Sequence, residues 1–377
     1  MINFDTPIAR RKTGSLKWDR RPDLEPFWVA DMDFTSPPEV IEAIRKRVDH
    51  GVFGYALPHP SLLEALQTYL QSRIGVTTLE EQIVHLGGLV PALSLAARAF
   101  GKPGDAVLTC TPSYPPFLGI HRDAKMQLIA TDHVLINGRW TFAWDTLETK
   151  VTPATQLFIL SNPQNPLGRV FTKDEITQLA TFCQRHDLIL VSDEIHCDLI
   201  LDEAKTPHFS ALNLPEELQQ HTITLLAPSK TYNIAGLGYA FAVIPNERLR
   251  NRFTAARGHT QPEINCIAYH AAEAAYRHGE GWRQDLLAYL RSNRDLVSST
   301  LNKKLPDLAI PEIEATYLAW LDGTALPFEN PMERIEKAGL FLSDGAFFGH
   351  PRCFRLNFGT QTSHLQSALE TLVTALS

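Results

Sequence analysis

Four short segments carry residue types that can do covalent chemistry, and each follows or opens an apolar run. The first is Ala227-Pro228-Ser229-Lys230-Thr231, directly after the apolar run 222–227. A lysine in such a place is ordinarily a solvated loop residue. At the end of a buried strand it can instead be an amine nucleophile that forms an imine with an aldehyde, and Ser229 can donate to a phosphate. The second is Ser192-Asp193-Glu194-Ile195-His196, after the run 188–192. Asp193 can simply cap a strand end, or it can pair with a protonated ring nitrogen. The third is Ser161-Asn162-Pro163-Gln164-Asn165-Pro166-Leu167-Gly168. Its Asn and Pro residues force a turn, and the Asn165 amide can also donate to a phenolic oxygen. The fourth is Gly87-Gly88-Leu89-Val90, opening a helix whose free N–H groups can hold a phosphate. Many helices start on glycine and bind nothing. Read together, the four fit one aldehyde cofactor, pyridoxal 5'-phosphate (PLP), whose ring becomes an electron sink when its nitrogen is paired with a carboxylate. His196 would then contact the phenolic oxygen or orient Asp193.

These positions need a scaffold that brings strand ends together. Short apolar runs at 106–110, 156–160, 188–192, 222–227 and 238–244 suit buried strands. Between them lies a helix at 173–186, with Thr172 as cap and Glu175 three residues on. Such alternation predicts a mostly parallel sheet sandwiched by helices, with ligands at the carboxyl ends of the strands. Pro37-Pro38 opens a helix to about residue 50, with Val40, Ile41, Ile44 and Val48 inward. Residues 51–60 read as a loop. Ser61 and Glu64 read as the capping box of the next helix, which turns Leu62, Leu66, Tyr69 and Leu70 inward. After residue 245 helices dominate: a long amphipathic one over 282–303, strands near 313–320 and 353–358, and a last helix near 362–375. The expected division is an N-terminal segment, 1–45, that contributes to a small domain and the active site; a large domain, 46–275; and a small α+β domain, 276–377.

Composition excludes several classes. The 377 residues are 44% hydrophobic, enough for a sizeable core, and the net charge of −7 gives no general attraction to nucleic acid or anionic membrane. The five cysteines are scattered and form no CxxC pair, which argues against a disulfide scaffold or a structural zinc site. No metal is expected. There is no signal peptide at Met1-Ile2-Asn3-Phe4-Asp5 and no apolar run long enough to span a bilayer, so a cytoplasmic location is expected by exclusion.

The order of these motifs resembles the fold-type-I PLP enzymes of the class I/II aminotransferase superfamily, whose large domain holds a seven-stranded type of sheet. Within it, the chain is most similar to carbon–sulphur β-lyases of the MalY/PatB type. The segments that carry this are Trp28-Val29-Ala30-Asp31-Met32-Asp33-Phe34, Phe53-Gly54-Tyr55, Tyr114-Pro115-Pro116-Phe117, Asn162-Pro163-Gln164-Asn165-Pro166, Ser192-Asp193-Glu194-Ile195-His196-Cys197-Asp198, Ala227-Pro228-Ser229-Lys230-Thr231 and Arg355-Leu356-Asn357-Phe358-Gly359. The resemblance implies that Lys230 is the Schiff-base lysine and the base at the substrate α carbon. Asp193 would pair with the pyridine nitrogen, Asn165 would contact the phenolate oxygen, and Tyr114 would stack on the ring. Arg355 would clamp the substrate α-carboxylate, helped by the backbone around Ala30 and adjoining Asn165. Gly88, Leu89 and Ser229 would form the phosphate cup, completed by Tyr55 of a neighbouring subunit in a homodimer with shared sites.

Two positions depart from the wider transaminase pattern. Gly238 stands where many transaminases carry an arginine phosphate anchor, and His196 stands where they carry tyrosine. Both suit the lyase group. The implied reaction is α,β-elimination of L-cystathionine or a related sulphur amino acid to a thiol, pyruvate and ammonia. The rival within the superfamily is transamination between an amino acid and a 2-oxo acid. A regulatory role through a protein partner is a further reading, added to catalysis.

Overall fold

The structure is a computed structural model that describes residues 2–258, 261 and 263–377. The apolar runs assemble into one eight-stranded sheet. Its strands are β1 (Ile83–Leu86), β2 (Ala106–Thr111), β3 (Gln127–Ile136), β4 (Arg139–Phe142), β5 (Thr155–Ser161), β6 (Ile189–Asp193), β7 (Thr222–Leu226) and β8 (Ala240–Val243). The spatial order is β1-β8-β7-β6-β5-β2-β3-β4. Strands β7, β6, β5, β2 and β3 run parallel to their neighbours, and β8 is antiparallel to both β7 and β1. The seven-stranded expectation is met by all but β4. That strand is the eighth, an edge hairpin on the far half of β3, where Ile136 pairs with Arg139.

Period-2 alternation explains why both faces are covered. Val107, Leu157, Ile159, Val191, Ile223 and Leu225 point to one face, under the helix Leu89–Phe100. Leu108, Phe158, Leu160 and Leu190 point to the other, under the helix Lys173–Arg185. The second helix starts as its sequence signals. Thr172 Oγ1 accepts from the Glu175 amide, and Glu175 Oε2 accepts from the Thr172 amide.

Two local expectations are corrected. The helix expected to be capped by Ser61 begins at Pro60, and the cap is His59, whose Nδ1 accepts from Leu62 N–H at 3.2 Å. Proline occupies the first helical position, where its missing N–H does no harm, so the cap moves one residue outside it. Glu64 pairs with Arg277 instead of closing a box. In the helix Pro38–Asp49 only Val40 is fully buried, and Val48 faces out at 46% exposure.

A second core joins the two ends of the chain. Phe4, Phe27, Met32, Phe34 and Val40 pack with residues from the long helix Glu280–Lys304, from the final helix Thr362–Leu376, and from a three-stranded antiparallel sheet. That sheet contains β9 (Leu318–Asp322), β10 (Ser343–Asp344) and β11 (Cys353–Asn357), in the order β9-β11-β10. Asn357, fully buried, ties the N-terminal segment to this sheet. Its Nδ2 donates to the Val29 and Asp31 carbonyls at 2.7 Å each, and its Oδ1 accepts from Gly359 N–H at 2.8 Å. Among the described residues, no helix is long and apolar enough to cross a membrane.

Asn357→Ala strands the Gly359 amide and leaves the Val29 and Asp31 carbonyls with only the Asp31 N–H and Lys17 Nζ as donors. At roughly 1–3 kcal/mol for a buried group left unpaired, the variant should lose about that much stability. The check is the urea midpoint, which should fall with little change in slope.

Candidate active site

Asp193 is the last residue of β6, and Lys230 lies four residues past the end of β7. The two strands are parallel neighbours, so their carboxyl ends open at the same edge of the sheet. Ser161 ends β5 on the other side of β6, and its hydroxyl donates to the Pro163 carbonyl and accepts from Asn165 N–H, which holds the Asn-Pro turn. The sheet alone therefore brings Asp193, Asn165 and Lys230 to one edge.

The opposite wall comes from the chain ends. The Lys230 ammonium donates to the Ala30 carbonyl at 2.6 Å. Arg355, on β11, donates from Nη1 to Asn165 Oδ1 at 2.9 Å and from Nη2 to the Trp28 carbonyl at 2.8 Å. Its guanidinium lies 4.8 Å from the Phe348 ring centroid. Tyr114 caps a short 3-10 turn, Pro115–Leu118, and feels both Arg355 and Asp193. His196 feels Lys230 and Arg355. The structure thus gathers Lys230, Asp193, Asn165, Tyr114, His196, Arg355 and Ala30 into one cluster.

Its electrostatics are unusual because the buried charges lack close counter-ions. Burial lowers Lys230 to about 8, with Asp31 opposing the shift. Burial pushes Asp193 up to about 7, although the Ile195 N–H bonded to Oδ1 at 3.1 Å works the other way. Burial lowers Arg355 to about 10, so it stays charged at neutral pH. His196 is held down to about 3 by burial, and its Nδ1 has no hydrogen-bond partner. Arg355 Nε is likewise unpaired. Among the described residues neither Arg355 nor Asp193 forms an ion pair within 4 Å.

These features fit the groups that PLP and an amino acid present. Asp193 is a buried carboxylate that lacks a cation, as a ring-nitrogen partner must be. Asn165 uses its oxygen on Arg355, which leaves Nδ2 as the donor for a ring oxygen. Arg355 is a buried guanidinium that lacks a carboxylate, and the Ala30 N–H has no acceptor among the described residues.

The expected phosphate cup lies at the start of the helix Leu89–Phe100. Gly88 is its N-cap at φ +143°, a conformation natural only to glycine, and the Leu89 and Val90 amides donate to no acceptor among the described residues. Pro91, third in the helix, has no amide to donate. Ser229 is close by, with its hydroxyl on the Tyr239 carbonyl at 3.3 Å. Gly238 explains the missing arginine: its φ is +67°, and a Cβ there would lie 3.2 Å from the Gly87 carbonyl oxygen. Tyr55 is not brought to this cluster within one chain; it is fully exposed, with Phe53 and Leu57 exposed beside it.

Sequence reasoning gave no specific role to three site residues, although it placed Thr316-Tyr317 among the candidate pocket-lining positions. Asn233, at φ +55°, donates to the Met32 and Phe34 carbonyls and accepts from Met32 N–H, fastening the Lys230 loop to the N-terminal segment. An asparagine three residues past the lysine was visible, and asparagine tolerates left-handed backbone. Tyr317, fully buried, donates to the Ala30 carbonyl at 3.0 Å. Glu194 accepts from Ser192 Oγ at 3.0 Å and from Ala211 N–H at 2.8 Å, and meets His208 Nε2 at 2.9 Å, which braces the turn carrying Asp193. Its signal was a second carboxylate in a run otherwise read only for the first.

Comparison with known proteins accords with this geometry. A family model described as aminotransferase class I and II matches residues 26–372. The cystathionine beta-lyase PatB of Bacillus subtilis is 35% identical over 389 aligned residues, covering 100% of both chains. The crystal structure of OvoB superimposes with a TM-score of 0.96 at 39% identity, covering 100% of this chain and 99% of that one. Cystalysin from Treponema denticola, whose structure contains a PLP cofactor, gives a TM-score of 0.94 at 34% identity, with 100% and 99% covered. The family match spans every residue of the cluster, from Ala30 to Arg355, and the chain belongs to the class I and II aminotransferase family.

Proposed function

We propose that the protein is a PLP-dependent carbon–sulphur β-lyase that eliminates the thiol from L-cystathionine or a related sulphur amino acid. The observation that carries this reading is the placement of Lys230 near a buried, carboxylate-free Arg355 at the same sheet edge as Asp193, in a chain similar from end to end to PatB. Cystathionine β-lyase relatives favour elimination over transamination. Bound PLP supplies an aldehyde for the amine and a ring that withdraws electrons from the substrate α carbon.

The residues divide the remaining work. Leu89 and Val90 N–H groups, with Ser229, receive the phosphate. Asp193 holds the proton on the ring nitrogen, and Asn165 Nδ2 donates to the ring oxygen. Tyr114 covers the ring face, and His196, neutral in its dry position, lies on the same wall. Arg355 takes the α-carboxylate with the Ala30 N–H; a planar guanidinium offers two donors in a fixed fork, which lysine does not. This fixes which α-substituent faces Lys230. Released Lys230, lowered to about 8, is a competent base near neutral pH for the Cα proton. The C–S bond then breaks with its electron pair leaving on sulphur, and the thiolate takes up a proton. Hydrolysis of the remaining three-carbon unit gives pyruvate and ammonia. For L-cystathionine the thiol is homocysteine.

Two copies would share their sites. Val52, Phe53, Tyr55 and Leu57 are 57–101% exposed in one chain, an apolar group on a single loop. Isologous pairing would bury it and carry Tyr55 to the partner's phosphate. The chemistry calls for no metal, and the residues suit a cytoplasmic enzyme of amino-acid metabolism.

Three outcomes test this. Purified protein with PLP should release pyruvate from L-cystathionine with no 2-oxo acid added, and borohydride should fix the cofactor on the peptide containing Lys230. Pyruvate formation that depends on an added 2-oxo acid would favour transamination.

Asp193→Asn should retain part of its PLP affinity but lose about a hundredfold or more in kcat, since the ring loses its charge partner. In the cofactor-free protein the sign reverses. Asp193 has a raised pKa, so its contribution is present below pH 4 and is lost as pH rises towards about 7. Asp193→Asn should therefore stabilise the apoprotein at pH 7, by up to roughly 4 kcal/mol, and flatten its stability between pH 4 and 7. Apoprotein melting curves across that range provide the check.

Tyr55→Phe should weaken PLP retention several-fold without altering the fold. Mixing it with Lys230→Ala should yield dimers in which one site carries both lesions and the other neither, so activity reappears at about the level of one intact site. An active monomer in sedimentation would sink the shared-site reading.

A further inference from the structure

The Ala30 carbonyl, buried on the wall facing Lys230, receives two donors at once: Lys230 Nζ at 2.6 Å and the Tyr317 hydroxyl at 3.0 Å. We propose that Tyr317 is a positioning residue that keeps the Ala30 carbonyl satisfied while Lys230 is linked to the cofactor, so that the lysine moves between its two bonding states without stranding a buried acceptor. This rests on the reading of Lys230 as the cofactor-linked lysine.

The chemistry of the lysine makes the second donor necessary. When its neutral amine condenses with an aldehyde, nitrogen joins the carbonyl carbon, and the carbonyl oxygen leaves as water with both amine hydrogens. The nitrogen then carries at most the one proton of a protonated imine, on a planar centre whose direction the cofactor fixes. The Ala30 carbonyl loses its lysine donor at that moment. A buried carbonyl without a donor is unfavourable, and no water-facing alternative exists for a residue 7% exposed.

The neighbouring carbonyls do not share this problem, because their donors are static. Asn357 holds Val29 and Asp31, Asn233 holds Met32 and Phe34, and Arg355 with Ser343 holds Trp28. Ala30 alone in this run is served by the reacting group. Its second donor is placed with unusual backbone effort. Thr316, a β-branched residue, sits at φ +72°, where such side chains rarely go. Its amide donates to the Leu199 carbonyl at 2.8 Å, and its hydroxyl accepts from Leu318 N–H at 3.1 Å. This turn sets the Tyr317 ring edge-on to His196, 6.2 Å between centroids, with its hydroxyl on Ala30.

The test is a double-mutant cycle read on PLP affinity, by equilibrium dialysis of the full-length apoprotein against PLP. Tyr317→Phe keeps the ring and its packing. With Lys230 present it should weaken PLP retention by roughly tenfold or more, because only the linked state loses the carbonyl's last donor. In the Lys230→Ala background the same change should leave PLP affinity within about twofold, since the carbonyl is equally stranded with and without cofactor. The fraction of protein fixed by borohydride at subsaturating PLP should fall in parallel. Equal weakening in both backgrounds would make Tyr317 a packing residue and overturn the proposal, as would unchanged affinity with Lys230 present. If borohydride fixes PLP on another residue, the reading of Lys230 fails first, and that outcome is distinct.

Discussion

Burial of charge without its counter-charge is the constraint around which this molecule is organised. Elsewhere among the described residues most buried charges are paired. Lys17 meets Asp33 at 2.7 Å, and Arg10 reaches both Asp31 and Asp33. Arg169 bonds Glu175, and Arg283, wholly buried, is held by Glu280 and Glu203. At the cluster of Lys230, Asp193 and Arg355 that rule is broken three times within one site. Ionised groups desolvated in this way stay in place only if the surrounding structure fixes them and something else completes them. A carboxylate lacking a cation and a guanidinium lacking a carboxylate are complements of a ring nitrogen and an amino acid. The paired clusters, Lys17–Asp33 and Arg283–Glu280, have nothing left to offer a ligand.

Fixing three unpaired groups requires both ends of the chain. The parallel strands supply Asp193, Asn165 and Lys230, but the sheet edge alone would leave them open to water. The segment 28–34 closes the edge, and it does so as a strap with its carbonyls bonded to the side chains of Arg355, Asn357, Asn233 and Gln361. A loop held only by its own turns would not keep the Ala30 carbonyl within bonding distance of Lys230. The strap is in turn anchored through Asn357 and Arg355, two residues apart on the same face of β11, so one strand places both the guanidinium proposed to receive the substrate and the wall behind it.

Much of this was legible in the sequence because the informative residues sit where periodic signals end. Apolar runs gave β2, β5, β6, β7 and β8 within a residue or two, and Thr172 with Glu175 gave a helix start that the hydrogen bonds repeat. Strands β1, β3 and β4 were missed because they lie at or next to the edges of the sheet and are only partly buried, and their polar residues mask the alternation. The cap at His59 was missed because histidine is an uncommon helix cap, while Ser61 and Glu64 imitate a common one. The strap was the hardest feature to see. Its strength lies in Asn233, Asn357 and Tyr317, which are 201, 326 and 287 positions from the backbone groups they hold. No local pattern encodes a contact at that separation.

The phosphate end shows how one backbone angle redirects the rest of the site. At Gly238 the chain turns through φ +67° with the Gly87 carbonyl 3.2 Å from where a Cβ would stand. A side chain there would meet both steric and conformational resistance, so an arginine anchor is excluded by geometry as well as by sequence. In the proposed site the dianion would then be met by the Leu89 and Val90 amides, by Ser229 and by the helix dipole, which concentrates only about half a positive charge at its start. Pro91 removes a further amide from that first turn. A cup of neutral donors holds phosphate well only if it is filled with donors from every side, and one chain leaves a side open. The exposed Phe53-Gly54-Tyr55 loop carries a hydroxyl with no hydrogen-bond partner among the described residues. In the proposed dimer, Tyr55 of the second copy would supply the donor that no side chain at position 238 provides.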